Sequence, residues 1–151
     1  MENGPIIREC EGRQEVFDPV RRRWVALTPE EWVRQHTILR LQAAGYPLEV
    51  MQVEGAIEVN GMSRRCDIVV YCSGQPWMIV ECKKNEIPIT QKVCDQACRY
   101  NTVLQVPYLV LTNGRQQVVI EVDYVNGRLK QLSALPSFEK NVKSVSQKQH
   151  F

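Results

Sequence analysis

Residues Arg64–Lys84, RRCDIVVYCSGQPWMIVECKK, hold two apolar runs joined by Ser73-Gly74, and each run carries charge within it. Runs rich in β-branched and aromatic residues on either side of such a turn read as two antiparallel strands. Strand side chains alternate, so Asp67, Val69 and Tyr71 are expected on one face and Cys66, Ile68, Val70 and Cys72 on the other. In the second run Ile79, Glu81 and Lys83 oppose Met78, Val80 and Cys82. The hairpin therefore brings Asp67 and Glu81 into one sheet, within reach of a common face.

Working outward, Met51 to Val59 alternates loosely and Asn60-Gly61 is a strong hairpin signal, which adds a third strand upstream. Downstream, PITQKVCDQACRYNTVLQVP has helical spacing at Val93, Ala97, Tyr100 and Leu104, with Thr90 as cap and prolines at both ends. PYLVLT then reads as a strand buried on both faces, reached by a parallel crossover. Asn113-Gly114 turns it into QQVVIEVDYV, and Asn126-Gly127 predicts one more hairpin. Before the strands, TPEEWVRQHTILRLQAAGYP carries Thr28 as N-cap, Pro29 at the first helical position, Glu31 three residues after the cap, and Gly45 and Pro47 as stops. A helix from about Pro29 to Ala44 follows. QEVFDPVRRRWVAL reads as an N-terminal hairpin at about 14–27, turning at Asp18-Pro19. The predicted order is helix, three antiparallel strands, helix, strand, strand, in an α/β layer with a mixed sheet. One domain is expected over residues 1–136, followed by a polar, flexible tail at 137–151.

Composition narrows the class. The chain has 151 residues, 44% hydrophobic and 24% charged, with a net charge of +2. That is ordinary for a globular domain, gives no strong basic footprint, and argues against wholesale disorder. No run approaches the roughly 18 apolar residues of a membrane span, and Met1 to Gly12 lacks the apolar core of a signal peptide, so a cytoplasmic protein with no membrane partner is expected. The six cysteines form no C-x-x-C pair and sit mostly in apolar runs, as reduced thiols do.

Charges beneath a helix layer must be paired or bind a metal, because an uncompensated buried ion costs several kcal/mol. Lys83 neutralises only one of Asp67 and Glu81, and a divalent cation would resolve the other charge. Mg²⁺ suits such a place, since it takes oxygen ligands and needs only one or two carboxylates. The competing reading is a cross-strand salt bridge between Asp67 and Lys83, with Glu81 at a solvated strand end. Lys84 and Glu86 read as solvated charges, and Cys66 and Cys82 as small core residues. The arginines at 21 to 23, with Arg64 and Arg65, read either as a phosphate-binding patch or as a solvated rim. His36 reads as a packed residue beside Trp32 and Leu39.

Asp67 followed by Glu81-Cys82-Lys83 resembles the D…(D/E)-x-K signature of the PD-(D/E)XK nuclease superfamily. Gln96-Ala97-Cys98-Arg99-Tyr100 is similar to the Q-x-x-x-Y motif of its recombination and restriction members. The run from about Val16 to Tyr124 resembles the N-terminal nuclease domain of type I restriction enzyme restriction subunits, in a short stand-alone bacterial form. Cys66 stands where the superfamily's name has proline, and a chain of this length has no room for a helicase motor.

The resemblance implies a restriction-endonuclease-like αβββαβ core with a mixed central sheet flanked by helices. It also implies a metal-dependent deoxyribonuclease that hydrolyses phosphodiester bonds of DNA and leaves a 5′-phosphate. Asp67, Glu81 and the backbone carbonyl of Cys82 would hold Mg²⁺ or Mn²⁺, joined by Glu31. Lys83 would orient the attacking water, and Gln96 and Tyr100 would shape the site. No organic cofactor is implied. Cutting both strands calls for a homodimer or a partner protein. Glu31 has a second reading as the far half of a capping box with Thr28. The alternative for the whole chain is a non-catalytic nucleic-acid-binding or assembly module that keeps the fold.

Overall fold

The computed structural model describes residues 4–59 and 61–138. A small antiparallel sheet comes first, with strands β1 (Ile7–Cys10), β2 (Arg13–Asp18) and β3 (Arg23–Ala26). The hairpin expected at about 14–27 is β2–β3, and β1 is an addition to it. The turn that joins β1 to β2 places both Glu11 and Gly12 at positive φ (51° and 76°). That is the backbone of a tight type I′ hairpin, but glutamate is not a residue that announces one.

Helix α1 (Pro29–Ala43) starts as its sequence dictates, with the Thr28 hydroxyl accepting the Glu31 N–H at 3.0 Å. It ends in a Schellman motif. Gly45 takes φ +96°, the Gly45 N–H donates to the Gln42 carbonyl at 2.9 Å, and the Tyr46 N–H donates to the Leu41 carbonyl at 3.0 Å. Tyr46 is buried by that turn and donates its hydroxyl to the Pro136 carbonyl at 2.6 Å. Its ring meets Trp77 and Phe138 at 5.8 and 5.3 Å. Of the tail expected at 137–151, only Ser137 and Phe138 are described, and Phe138 packs on the core; positions 139–151 lie outside the described residues.

A second sheet of six strands in chain order follows: β4 (Met51–Val59), β5 (Met62–Cys72), β6 (Gln75–Cys82), β7 (Tyr108–Thr112), β8 (Gln117–Asp123) and β9 (Arg128–Leu132). The Ser73-Gly74 turn places both residues at positive φ (52° and 77°), which gives β5 and β6 their antiparallel pairing. Helix α2 (Gln91–Leu104) carries the chain from β6 to a parallel β7, in register Glu81↔Leu111. The sheet is therefore mixed, as expected, and β7 is buried along its whole length.

Core residues divide between the two sheet faces. Ile68, Val70, Met78, Val80 and Cys82 pack with Val33, Ile38 and Leu41 of α1. Val69, Ile79, Leu109 and Leu111 pack with Cys94 and Ala97 of α2. Each such aliphatic side chain contributes about 1.5–3 kcal/mol when removed from water.

Two expectations about facing are corrected. Cys66 packs with Val69 and Ile79 and not with Ile68 and Val70. The β4–β5 ladder pairs Val53 with Ile68 and Gly55 with Cys66 but skips Glu54 and Asp67, and Glu54 sits at φ 55°. A left-handed residue in a strand breaks the period-two alternation, so residues beyond it change layer. On α2 the buried residues are Cys94, Ala97 and Asn101, whereas Tyr100 is 53% exposed. Asn101 takes the inner position because its side chain is used there, donating to the Val106 carbonyl at 3.0 Å and to the Tyr124 hydroxyl at 2.8 Å. No helix among the described residues is long and apolar enough to cross a membrane.

Candidate active site

Glu81 closes the C-terminal end of β6, the strand that sits between antiparallel β5 and parallel β7. Its side chain is largely buried and accepts a hydrogen bond from Nη2 of Arg64, which β5 supplies. The Arg64 guanidinium also lies over the Tyr100 ring, 4.6 Å from its centroid. Lys83 follows β6 directly, and its backbone N–H donates to the Thr112 carbonyl at 2.8 Å, carrying the parallel ladder past the strand end. Arg64, Glu81, Lys83, Gln96 and Tyr100, with Val93 and Ala97, line one cleft of about 130 Å³. Four of the expected residues thus share a single space, although they come from two elements.

Asp67 reaches the same strand end by another route. Its Oδ2 accepts the Cys82 backbone N–H at 2.8 Å, and its Oδ1 accepts Nη2 of Arg34 at 3.3 Å. The missing ladder pair at Asp67 leaves this side chain free to lie along the strand end, so that it meets the residue between Glu81 and Lys83. Cys82 itself is packed in the core on the α1 side. Burial, aided by the Asp67 charge, pushes its thiol up to about 12, so the sulfur stays protonated and chemically quiet at neutral pH.

Glu31 occupies a separate, denser network. Its Oε1 accepts from Arg21 at 2.8 Å and from Arg34 at 3.2 Å, and its Oε2 accepts the Gln35 amide at 3.0 Å. The capping box is only half formed: the Thr28 N–H donates to the Ala26 carbonyl, and the Glu31 carboxylate turns inward. Arg21 also holds the fully buried Asp18 at 2.6 Å, and Arg34 approaches Glu54 at 3.4 Å. Arg34 links Glu31 to Asp67.

Of the arginines that read as a phosphate-binding patch or a solvated rim, Arg21 belongs to this interior network and Arg64 lines the cleft. Arg65, 72% exposed, pairs with Glu54 at 3.0 Å. His36 packs on Trp32 as expected, with ring centroids 4.3 Å apart. The holding roles of Arg34 and Arg64 and the position of Glu54 went unread, because no spacing rule marks an arginine that pairs across elements.

Among the described residues no group of three or more His, Cys, Asp or Glu side chains is placed to hold a metal ion. The donor chemistry fits a hard cation nevertheless. Asp67 and Glu81 offer carboxylate oxygens around the end of β6, Asp67 toward Arg34 of α1 and Glu81 toward the cleft beside α2, and Mg²⁺ needs only one or two carboxylates when water and backbone oxygen fill its other positions.

An α1 helix before an antiparallel meander, a crossover helix and a parallel strand, with charged residues gathered at the end of the third meander strand, defines a restriction-endonuclease-like α/β fold. Residues 29–136 match the family model for the type I restriction enzyme R protein N terminus, and the chain belongs to that family. A fragment structure of an HsdR subunit of a type I restriction enzyme from Vibrio vulnificus YJ016 has the same fold, with a TM-score of 0.53 and 20% identity. The match covers 83% of this chain but 26% of that one, so the chain spans about a quarter of its structural relative. No curated protein matches the sequence.

Proposed function

We propose that the chain is a metal-dependent nuclease that hydrolyses phosphodiester bonds of DNA. The observation that supports this best is the cleft in which Glu81, Lys83, Gln96 and Tyr100 meet, with the Asp67 carboxylate held on the Cys82 N–H beside it. Family membership supports it from the other side, since type I restriction enzymes are nucleases by name. A bound Mg²⁺ or Mn²⁺ supplies Lewis-acid neutralisation of phosphate charge and a water made acidic by coordination.

In this reading Asp67, Glu81 and the Cys82 carbonyl are the holding groups, and Glu31 joins only after leaving Arg21 and Arg34. Lys83, on the same strand end as Glu81, orients the attacking water and steadies the charge that builds on phosphorus. Gln96 and Tyr100, one helical turn apart on α2, position the strand. Arg64 compensates the Glu81 charge. Cutting both strands needs a second site, from a homodimer or a partner subunit, and assembly with other restriction subunits is part of the same proposal.

The second reading is a binding or assembly module that keeps the fold without catalysis. It is favoured by the arginine that each carboxylate already holds. Incubating the protein with supercoiled and linear DNA in Mg²⁺, Mn²⁺ or EDTA, beside Asp67→Ala and Lys83→Ala, separates the two. Cleavage by the wild type that requires metal and is lost in both variants supports the nuclease. Binding that persists without cleavage in Mn²⁺, unaffected by Lys83→Ala, supports the module.

A further inference from the structure

The cleft continues past Tyr100. Between β5 and α2 a second cavity of about 440 Å³ is lined by Ser63, Arg64, Arg65, Tyr100, Val103 and Leu104. Arg64 and Tyr100 line both spaces, so the cavity and the Glu81–Lys83 cleft adjoin along one arginine and one ring. The volume lies within the roughly 300–1,000 Å³ of ordinary small-ligand pockets.

Its walls divide by chemistry. Tyr100, Val103 and Leu104 are neighbours on one helix face at i, i+3 and i+4, and Tyr100 and Val103 are 53% and 40% exposed. An aromatic ring and a valine left in water beside a concave space are apolar surface that lacks a cover. Opposite them stand two arginines. The Arg64 guanidinium covers one face of the Tyr100 ring from 4.6 Å and leaves the other for a stacking partner, while its Nη1 is buried with no hydrogen-bond partner among the described residues. A buried donor left unmade costs about 1–3 kcal/mol, so Nη1 calls for an acceptor from outside. Arg65 lies 72% exposed at the rim.

We propose that this cavity seats one unpaired base of a DNA strand, stacked on Tyr100 against Val103 and Leu104, with the adjoining phosphate on Arg64 and Arg65. The proposal rests on the nuclease reading and gives it a substrate class: DNA that is single-stranded or frayed beside the cut. Paired bases lie stacked inside a duplex and offer only edges and backbone, whereas an unpaired base presents a face to an aromatic platform. The charge fits as well, since a base brings its phosphate with it, and Arg64 and Arg65 flank an apolar floor in the arrangement single-strand binders use.

The test is equilibrium binding in EDTA of a labelled 15-nucleotide DNA strand and of the blunt duplex of the same sequence, read by anisotropy. Wild type is expected to bind the strand more tightly than the duplex. Tyr100→Ala should lower that strand-to-duplex ratio about 5- to 150-fold, the size of one lost base–aromatic stack. Tyr100→Trp should preserve it, and Val103→Glu, at an exposed position outside the cleft, should lower it through charge repulsion. Duplex preference in the wild type, or a ratio unmoved by Tyr100→Ala and Val103→Glu, overturns the proposal. Cleavage of duplex without strand preference would leave the nuclease reading standing alone. Strand preference without metal-dependent cleavage would do the reverse.

Discussion

Glu31 and Glu81 are both largely buried carboxylates, each beside a helix and each held by arginine, yet their surroundings differ. Glu31 accepts from Arg21, Arg34 and Gln35, and the donors around it are themselves tied to Asp18 and Glu54. Glu81 accepts from Arg64, whose other terminal nitrogen has no partner among the described residues, and it faces a cleft that leads to an exposed ring. A network in which two arginines are shared among four carboxylates is built to stay closed, although Arg34 Nε, like Arg64 Nη1, is buried without a partner among the described residues. One arginine between a carboxylate and a cavity leaves both groups able to exchange partners.

The comparison breaks most visibly at Lys83, which lies on the open side. Lys83→Ala should reduce metal-dependent DNA cleavage about 10²- to 10³-fold, the usual loss on removing one charge-stabilising group, with little change in Tm. A kinetic assay beside a thermal melt checks both halves. A large drop in Tm with cleavage retained would make Lys83 part of the closed scaffold.

Glu31→Ala should do the opposite. Removing one partner strands the Arg21 and Arg34 charges, and the expected loss is about 3 kcal/mol or more of stability, a fall in Tm of about 6–12 °C for a chain of this size. Denaturant titration measures it. A loss of Mn²⁺ binding without loss of stability would instead assign Glu31 to the metal.

Acid should loosen the closed side next. The hydrogen bonds and charge of Arg21, with the Val20 N–H, hold Asp18 below its ordinary 3.8 although burial opposes them. Arg34, Arg21 and Arg65 likewise outweigh burial to hold Glu54 below 4.5. Because the unfolded chain takes up these protons more readily, the stability they confer is present above about pH 4.5 and fades as pH falls through the lower folded-state values. Melts between about pH 6 and pH 3 should show that fall, and Asp18→Asn should flatten it. The smallest effect belongs to Glu81→Gln. A neutral acceptor still receives the Arg64 donor, so stability should move by only about 1 kcal/mol, and equal losses at positions 31 and 81 would erase the distinction drawn between them.

Much of this arrangement was legible in the residues. The caps of both helices, the Ser73-Gly74 turn and the parallel crossover into β7 follow from period, cap and turn chemistry, which act over a few residues, whereas the joining of Gln96 and Tyr100 to Glu81 and Lys83 was implied by the family resemblance alone. What escaped depends on longer reach. The layer change at Cys66 comes from a left-handed glutamate on the neighbouring strand, a residue type that carries no turn signal. Asn101 displaced Tyr100 from the buried face of α2 because its amide finds partners at Val106 and Tyr124, which no helical period can foresee. Glu31 looked like a capping residue because its spacing from Thr28 suits one; the arginines that claim its carboxylate come from a loop ten residues away and from the next turn of the helix.

The gap in the β4–β5 ladder has a mechanical side. Pairing of β5 with β6 runs from Ile68↔Val80 to Cys72↔Gln75, while residues 62–66 pair only with β4. Past the gap the sheet narrows to a two-stranded arm, the least self-supporting form of β structure. Arg64 rides on that arm, and Glu81 is anchored in the broad part of the sheet between two neighbours. The bond between them joins a strand paired on both sides to an arm paired on one, whose Ile57 and Cys66 rest against the α2 side of the core.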